Sequence, residues 1–283
     1  MRMAVRLVAV AFLIAVAAVA QRGQVNPSSG FSVAAIRRCD TVPGKSIGNF
    51  GRGWIRIDCF SVKSLIARAY VRFANGKAKP AIETEPIEGG PAWAETDLYT
   101  INAKADGTPT FGQMNGPLMQ ALLEERFRLK IHRRMIEIPV YALTVAKGGA
   151  RLKAAKRACV PVDFDHPLPP GSAGEDPPPV CDSFSGSEHA LEIRGATLEQ
   201  FGRALSPRLK RRVLDQTGIA GHFDFRLNFS LIDRLKPNAG ETREDFIFET
   251  AQSVLQPLGL KIVSTKSTSE AIVIDHLERP GDN

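Results

Sequence analysis

The chain has 283 residues, room for two domains or one large one, and its 43% hydrophobic and 24% charged side chains suit a globular protein with a core of its own. The formal charge of +7 is scattered among acids, with only short basic clusters at Arg133–Arg134 and Lys210–Arg212. That pattern argues against a nucleic-acid interface, which needs a basic stripe interleaved with aromatics.

Met1–Ala20 reads as a secretory signal: Arg2 and Arg6 precede the apolar run Leu7–Ala20, and Ala18-Val19-Ala20 is a small-x-small cleavage site. The run has 14 residues, short of the roughly 20 a spanning helix needs. An uncleaved anchor, the only route to the membrane, is the alternative. Cleavage lowers the charge from +7 to +5, because Arg2 and Arg6 leave with the signal. Residues 21–30 are polar and small, a flexible leader. The four cysteines of an exported chain read as two disulfides, for which three connectivities exist. Neighbours in sequence are favoured, Cys39 with Cys59 and Cys159 with Cys181. The second pair would staple a Pro-rich loop and contribute about 3 kcal/mol on the chain-entropy model.

Strands are expected at Phe31–Arg37 and from Trp54 to Cys59, then a helix capped by Ser61 carrying Leu65, Ile66, Ala69 and Tyr70. Ile82 and Ile87 are strand positions, Gly89–Trp93 a turn, Leu98–Ala103 a strand and Met114–Arg126 a helix. Leu129–His132 and Val140–Val145 read as a strand pair. Six of the 19 prolines fall between Pro167 and Pro179, inside a linker or surface loop. Beyond it lies the stretch around which the chain is organised, Ala196–Phe229. Thr197 and Gln200 form a capping-box signature, Leu198, Phe201 and Leu205 recur at helical spacing, and Pro207 is expected to stop the helix. Strands follow at Leu191–Arg194, Val213–Asp215 and His222–Phe229, a helix at Asp245–Leu255, and strands at Leu260–Ser264 and Ala271–Asp275.

The order β-α-β-β-α-β-β therefore occurs twice, in residues 54–146 and 191–276. Leu129-Lys130-Ile131 repeats as Leu260-Lys261-Ile262, and the same offset of 131 places Tyr141 on Ile272 and Leu143 on Ile274. The expected architecture is α+β, two tandem units of small mixed sheets carrying two helices each. They span residues 31–157 and 191–283, joined by a disulfide-stapled linker over 158–190.

No catalytic constellation emerges. SxxK, KTG, HExxH, GxxxxGK and GxGxxG are absent from the sequence, and the GxSxG spacing at Gly44–Gly48 falls in the expected loop Thr41–Gly53, not at the strand-to-helix turn that a nucleophile elbow needs. Ser187 and His189 lie in a solvated stretch after the prolines. Asp163, Asp165 and His166 read as a turn rather than a cation site. His132, His222 and His276 read as structural strand residues. Trp93, after Gly90 and Pro91, is expected as a core or interdomain plug, with a recognition-groove cap as the alternative. Lys210–Arg212 reads as a solvated, dipole-compensating helix end.

Gly89-Gly90-Pro91-Ala92-Trp93, Leu122–Phe127, Pro139–Leu143, Lys147-Gly148-Gly149, Asp215–Gly218, Gly221–Phe225 and Ile274-Asp275-His276 together resemble the soil-associated family of exported bacterial proteins, expanded mainly in Acidobacteria. That family has no established activity. Related domains resemble extracellular appendages of receptor metallopeptidases, which implies sensing. Each half is also similar in element order to the short N-terminal domain of secretins and TonB-dependent receptors, which implies a protein-contact module. The expectation is an exported, periplasmic or extracellular, non-enzymatic binding or sensing module. It needs no cofactor or metal, and its partner is an envelope protein or small ligand. A secreted hydrolase of unrecognised type and an envelope scaffold are the alternatives.

Overall fold

Hydroxyl side chains open four of the described helices. Ser61, Thr110, Thr197 and Thr242 accept from the amides of Ser64, Gln113, Gln200 and Asp245 at 3.1–3.2 Å, satisfying donors that a helix start leaves orphaned. The structure, a computed structural model, describes residues 30–39, 50–51, 53–79, 85–161, 178–181, 190–229, 240 and 242–281. The signal segment, Ile82, Asp163, Asp165, His166, Ser187, His189 and most of the Pro-rich stretch lie outside the described residues.

A first sheet has the order β1-β5-β3-β2, built from β1 (Val33–Cys39), β2 (Phe50–Gly51), β3 (Trp54–Ser61) and β5 (Leu98–Lys104). Against it pack α1 (Val62–Ile66), a π-helical turn over Ala67–Arg72, α2 (Trp93–Thr96), α3 (Phe111–Asn115) and α4 (Pro117–Arg126). The helix expected over Met114–Arg126 is thus broken at Gly116, where the chain presses on the Phe73 carbonyl. Gln120 reaches back to the π turn, donating to the carbonyls of Ala69 at 2.7 Å and Ala74 at 2.9 Å.

The central sheet has the order β4-β11-β6-β9. Its spine is a pair of long antiparallel strands, β6 (Lys130–Val145) and β11 (Leu260–His276). The strand pair expected at each of these places is instead one continuous strand. The sequence loses its alternation where the ribbon leaves both cores, around exposed Met135, yet the ladder between β6 and β11 runs on through it. Pro139 is tolerated because β9 (Val213–Asp215) reaches β6 only from Tyr141 onward. On the far side β4 (Ile87–Gly89) runs parallel to β11. Each short strand thus pairs with the long strand of the other half of the chain.

A third sheet, β7-β10-β8, comprises β7 (Lys153–Ala154), β8 (Ala190–Ala196) and β10 (Phe223–Asn228). It packs with α5 (Leu198–Leu209) and α6 (Arg243–Leu255). Pro207 does not stop α5, which continues to Leu209. Only one backbone bond is forfeited so near the end, and Ser206 ties the last turn down by donating to the Gly202 carbonyl at 3.0 Å.

The two buried clusters are filled across the halves. Ile272 and Ile274 of β11 join Ile57, Leu65, Ile101, Met119 and Leu123 in the first, while Tyr141 and Leu143 of β6 join Leu191, Phe201, Leu205 and Phe225 in the second. The Phe201 and Phe225 rings stack at 4.0 Å. Cys39 and Cys59 stand at disulfide distance, their sulfurs 1.90 Å apart, as do Cys159 and Cys181 at 1.96 Å. No described helix is long and apolar enough to cross a membrane.

Candidate functional site

The end of α5 turns sharply because Lys210 takes the left-handed conformation, φ 54° and ψ 18°. Glycine normally fills that role, so a lysine there is placed at a backbone penalty of order 1 kcal/mol. Two bonds hold the turn. Ser206 Oγ accepts from the Val213 amide at 3.0 Å, and the Arg212 carbonyl accepts from the Tyr141 amide at 2.8 Å. Gly202 completes the fit, since a Cβ there would stand 3.0 Å from the Val213 carbonyl. The effect is to present Lys210, Arg211 and Arg212 beside the middle of β6.

These residues form one wall of a cleft of about 550 Å³. Leu209 and Ile247, both buried, make its floor with Ile138, while Pro86 and Pro139 stand at the first-half side. Arg243 and Glu244, at the start of α6, and Glu85 also line the cleft. Arg211 is the anchored cation: its guanidinium lies 4.7 Å over the Tyr141 ring, pairs with Glu244, and donates to Ser264 Oγ at 3.5 Å. Glu85 is neutralised from outside by Arg133 at 2.8 Å and Lys79 at 3.3 Å. Both lining carboxylates are therefore engaged. Lys210, Arg212 and Arg243 make no side-chain ion pair among the described residues. An apolar floor below surplus positive charge can hold an anion.

The residues singled out from sequence lie elsewhere. Gly90 is exposed and has φ +78°, Pro91 accepts from the Ala94 amide at 2.9 Å, and Trp93 is half-buried against the first core. The Arg279 guanidinium lies 4.9 Å over the Trp93 ring and its Nε donates to buried Asp97 at 3.0 Å. Gly89 and Gly90, both at positive φ, let the chain leave β4 hard against Ile274. His132 sits 2.8 Å from Asp275 and His276 2.7 Å from Glu278, all exposed, and His222 is exposed one residue before β10, outside the strand expected to contain it. Among the described residues no three His, Cys, Asp or Glu side chains gather to hold a metal ion.

Lys210–Arg212 was legible as a basic cluster, but its partners were not. One signal for Arg243 existed: it opens a helix, where the macrodipole disfavours a cation. The expected solvated helix end describes Lys210 and Arg212, which are exposed, and leaves out Arg211, which stacks on Tyr141.

No curated protein and no solved structure matches the chain. A family model does, from Ile66 at the end of α1 to Leu277 just past β11, and so takes in every lining residue of the cleft. Over residues 66–277 the chain belongs to DUF3738, a family of proteins of unknown function.

Proposed function

We propose that this is an exported, non-enzymatic binding or sensing module of the cell envelope whose ligand seats in the cleft at the central sheet. The observation that carries the reading is the cleft itself. It lies where strands of both halves meet, joins a buried apolar floor to a surplus of cations, and has a volume inside the roughly 300–1,000 Å³ of small-ligand sites. The export reading rests on Met1–Ala20 and on two cysteine pairs at disulfide distance, a feature of oxidising compartments. The likeness to the soil-associated family and to secretin-type contact domains points the same way.

We also propose that the fold is a tandem duplication of residues 31–157 and 191–283 about a pseudo-twofold axis, with 158–190 as linker. The β6–β11 register supports it. Shifting by the sequence offset of 131 maps the pair Tyr141–Ser264 onto Ile272–Arg133, and sets Glu137 against Thr268 on the axis. Tyr141 takes Val213 of β9 as Ile272 takes Ile87 of β4. Ser61 and Thr197 cap corresponding helices, and Val62, Leu65 and Ala69 correspond in burial to Leu198, Phe201 and Leu205.

The test is capture. Mature wild-type chain and a Lys210→Gly/Arg243→Gln variant, both immobilised, are exposed to envelope extract. A small molecule or protein retained by wild type and lost on the variant supports a binding module at the cleft. Retention of nothing, or equal retention by both, refutes it.

A further inference from the structure

We infer that the cleft takes a small amphipathic anion: a carboxylate or phosphate head on an apolar body. This deepens the binding reading and rests on it. Four cations line the cleft, Lys210, Arg211, Arg212 and Arg243, against Glu85 and Glu244. Glu244 is taken by Arg211, and Glu85 by Arg133 and Lys79, so the lining carboxylates do not answer the remaining charge. An anionic head does. It gains charge-assisted hydrogen bonds from groups presented by a turn that is fixed before the ligand arrives. Below that head lie Leu209 and Ile247, 2% and 6% exposed, with Ile138 beside them. A bare inorganic anion leaves this floor wet. A neutral apolar molecule leaves the cations without a partner, and a cationic one is repelled. The volume of the cleft suits one small molecule, whereas a protein partner would need on the order of 800 Å² of surface per side. The start of α6 adds nothing to the case, because Glu244 and Asp245 already occupy the positive end of its dipole.

Isothermal titration of the full mature chain tests this with three probes: decanoate, inorganic phosphate and decyltrimethylammonium. Decanoate is expected to bind one per chain, with phosphate and decyltrimethylammonium at least about tenfold weaker, and its affinity to fall as salt screens the head. Lys210→Gly keeps a residue suited to the left-handed turn, and Arg243→Gln keeps a good helix former. Together they are expected to weaken decanoate by about tenfold or more while circular dichroism stays unchanged. Should that variant misfold, the salt titration on the wild type decides: an affinity indifferent to salt overturns the anionic head. Equal binding of decanoate by wild type and folded variant overturns the location. Phosphate binding as tight as decanoate overturns the apolar body. Decanoate failing while extract capture still separates wild type from variant overturns the ligand class and leaves the binding module standing; failure of both removes the module as well.

Discussion

Gly116→Ala should be among the most damaging single-methyl additions to this chain. A Cβ built at Gly116 would stand 1.8 Å from the Phe73 carbonyl oxygen and 2.9 Å from its carbon, with the Gly112 carbonyl 3.1 Å away. All three are backbone atoms, so no side chain can swing aside. The Phe73 carbonyl is also engaged by the Gly76 amide at 2.8 Å, which pins it from the other side. Overpacking costs about 1–3 kcal/mol where side chains can adjust; with backbone on both sides the upper end applies, about 3 kcal/mol. For a chain of this size each kcal/mol lowers Tm by roughly 2–4 °C, so a fall of about 6–12 °C is expected. The assay is thermal unfolding followed by circular dichroism. Gly281→Ala, which meets nothing within 4 Å, serves as the control. Gly112→Ala should behave like Gly116→Ala, since its Cβ would lie 1.9 Å from the Gly76 carbonyl oxygen. Melting of Gly116→Ala within about 1 °C of the control would show that α3 and α4 do not lie on the end of the π turn, and the account of that elbow would be wrong.

Tyr70 donates to Glu124 at 2.7 Å, and burial, then that carboxylate, push its hydroxyl well above the ordinary tyrosine range. A folded pKa raised above the unfolded one gives stability that is present below pH of about 10 and lost as pH rises beyond it. Tyr70→Phe should therefore flatten the loss of Tm between about pH 9 and 11, while giving up about 1 kcal/mol at neutral pH; an unchanged alkaline slope sinks the assignment. Arg68, lowered to about 10 by burial and then by Arg72, acts in the opposite sense above that pH, and Arg68→Met should steepen the alkaline loss. Thr197→Ala removes the cap of α5 and should cost about 1 kcal/mol, read as a lower urea midpoint with unchanged slope. Replacing Cys159 and Cys181 by serine opens a loop with a sequence separation of 22 and should cost about 3 kcal/mol, measured against wild type in oxidising buffer.

What was legible in the sequence was local. Thr197 with Gln200, Ser61 before Val62 and the short run Val213–Asp215 announce themselves within a few residues, and the structure places helix starts and a strand there. The α+β class follows from such signals. The middle of β6 was not legible. From His132 to Met135 four successive residues are exposed, so alternation lapses there, and the partner that makes it a strand lies more than a hundred residues away. Pro207 misled for a related reason: its local penalty is real, but Ser206 and the packing of α5 outweigh it. The cleft was the least legible of all. Its lining comes from residues 85–86, 138–139, 209–212 and 243–247, and no single window contains more than one wall.

The exchange of short strands bears on how such a site could report a ligand. Because β4 pairs with β11 and β9 with β6, neither half completes its sheet or its core alone. The cleft inherits this dependence, with Pro86 and Ile138 from one half facing Arg212 and Ile247 from the other. A ligand that binds only the assembled cleft stabilises the joint between the halves, by about 2.7 kcal/mol at a hundredfold excess over Kd. Occupancy is then felt in the central sheet rather than confined to one loop.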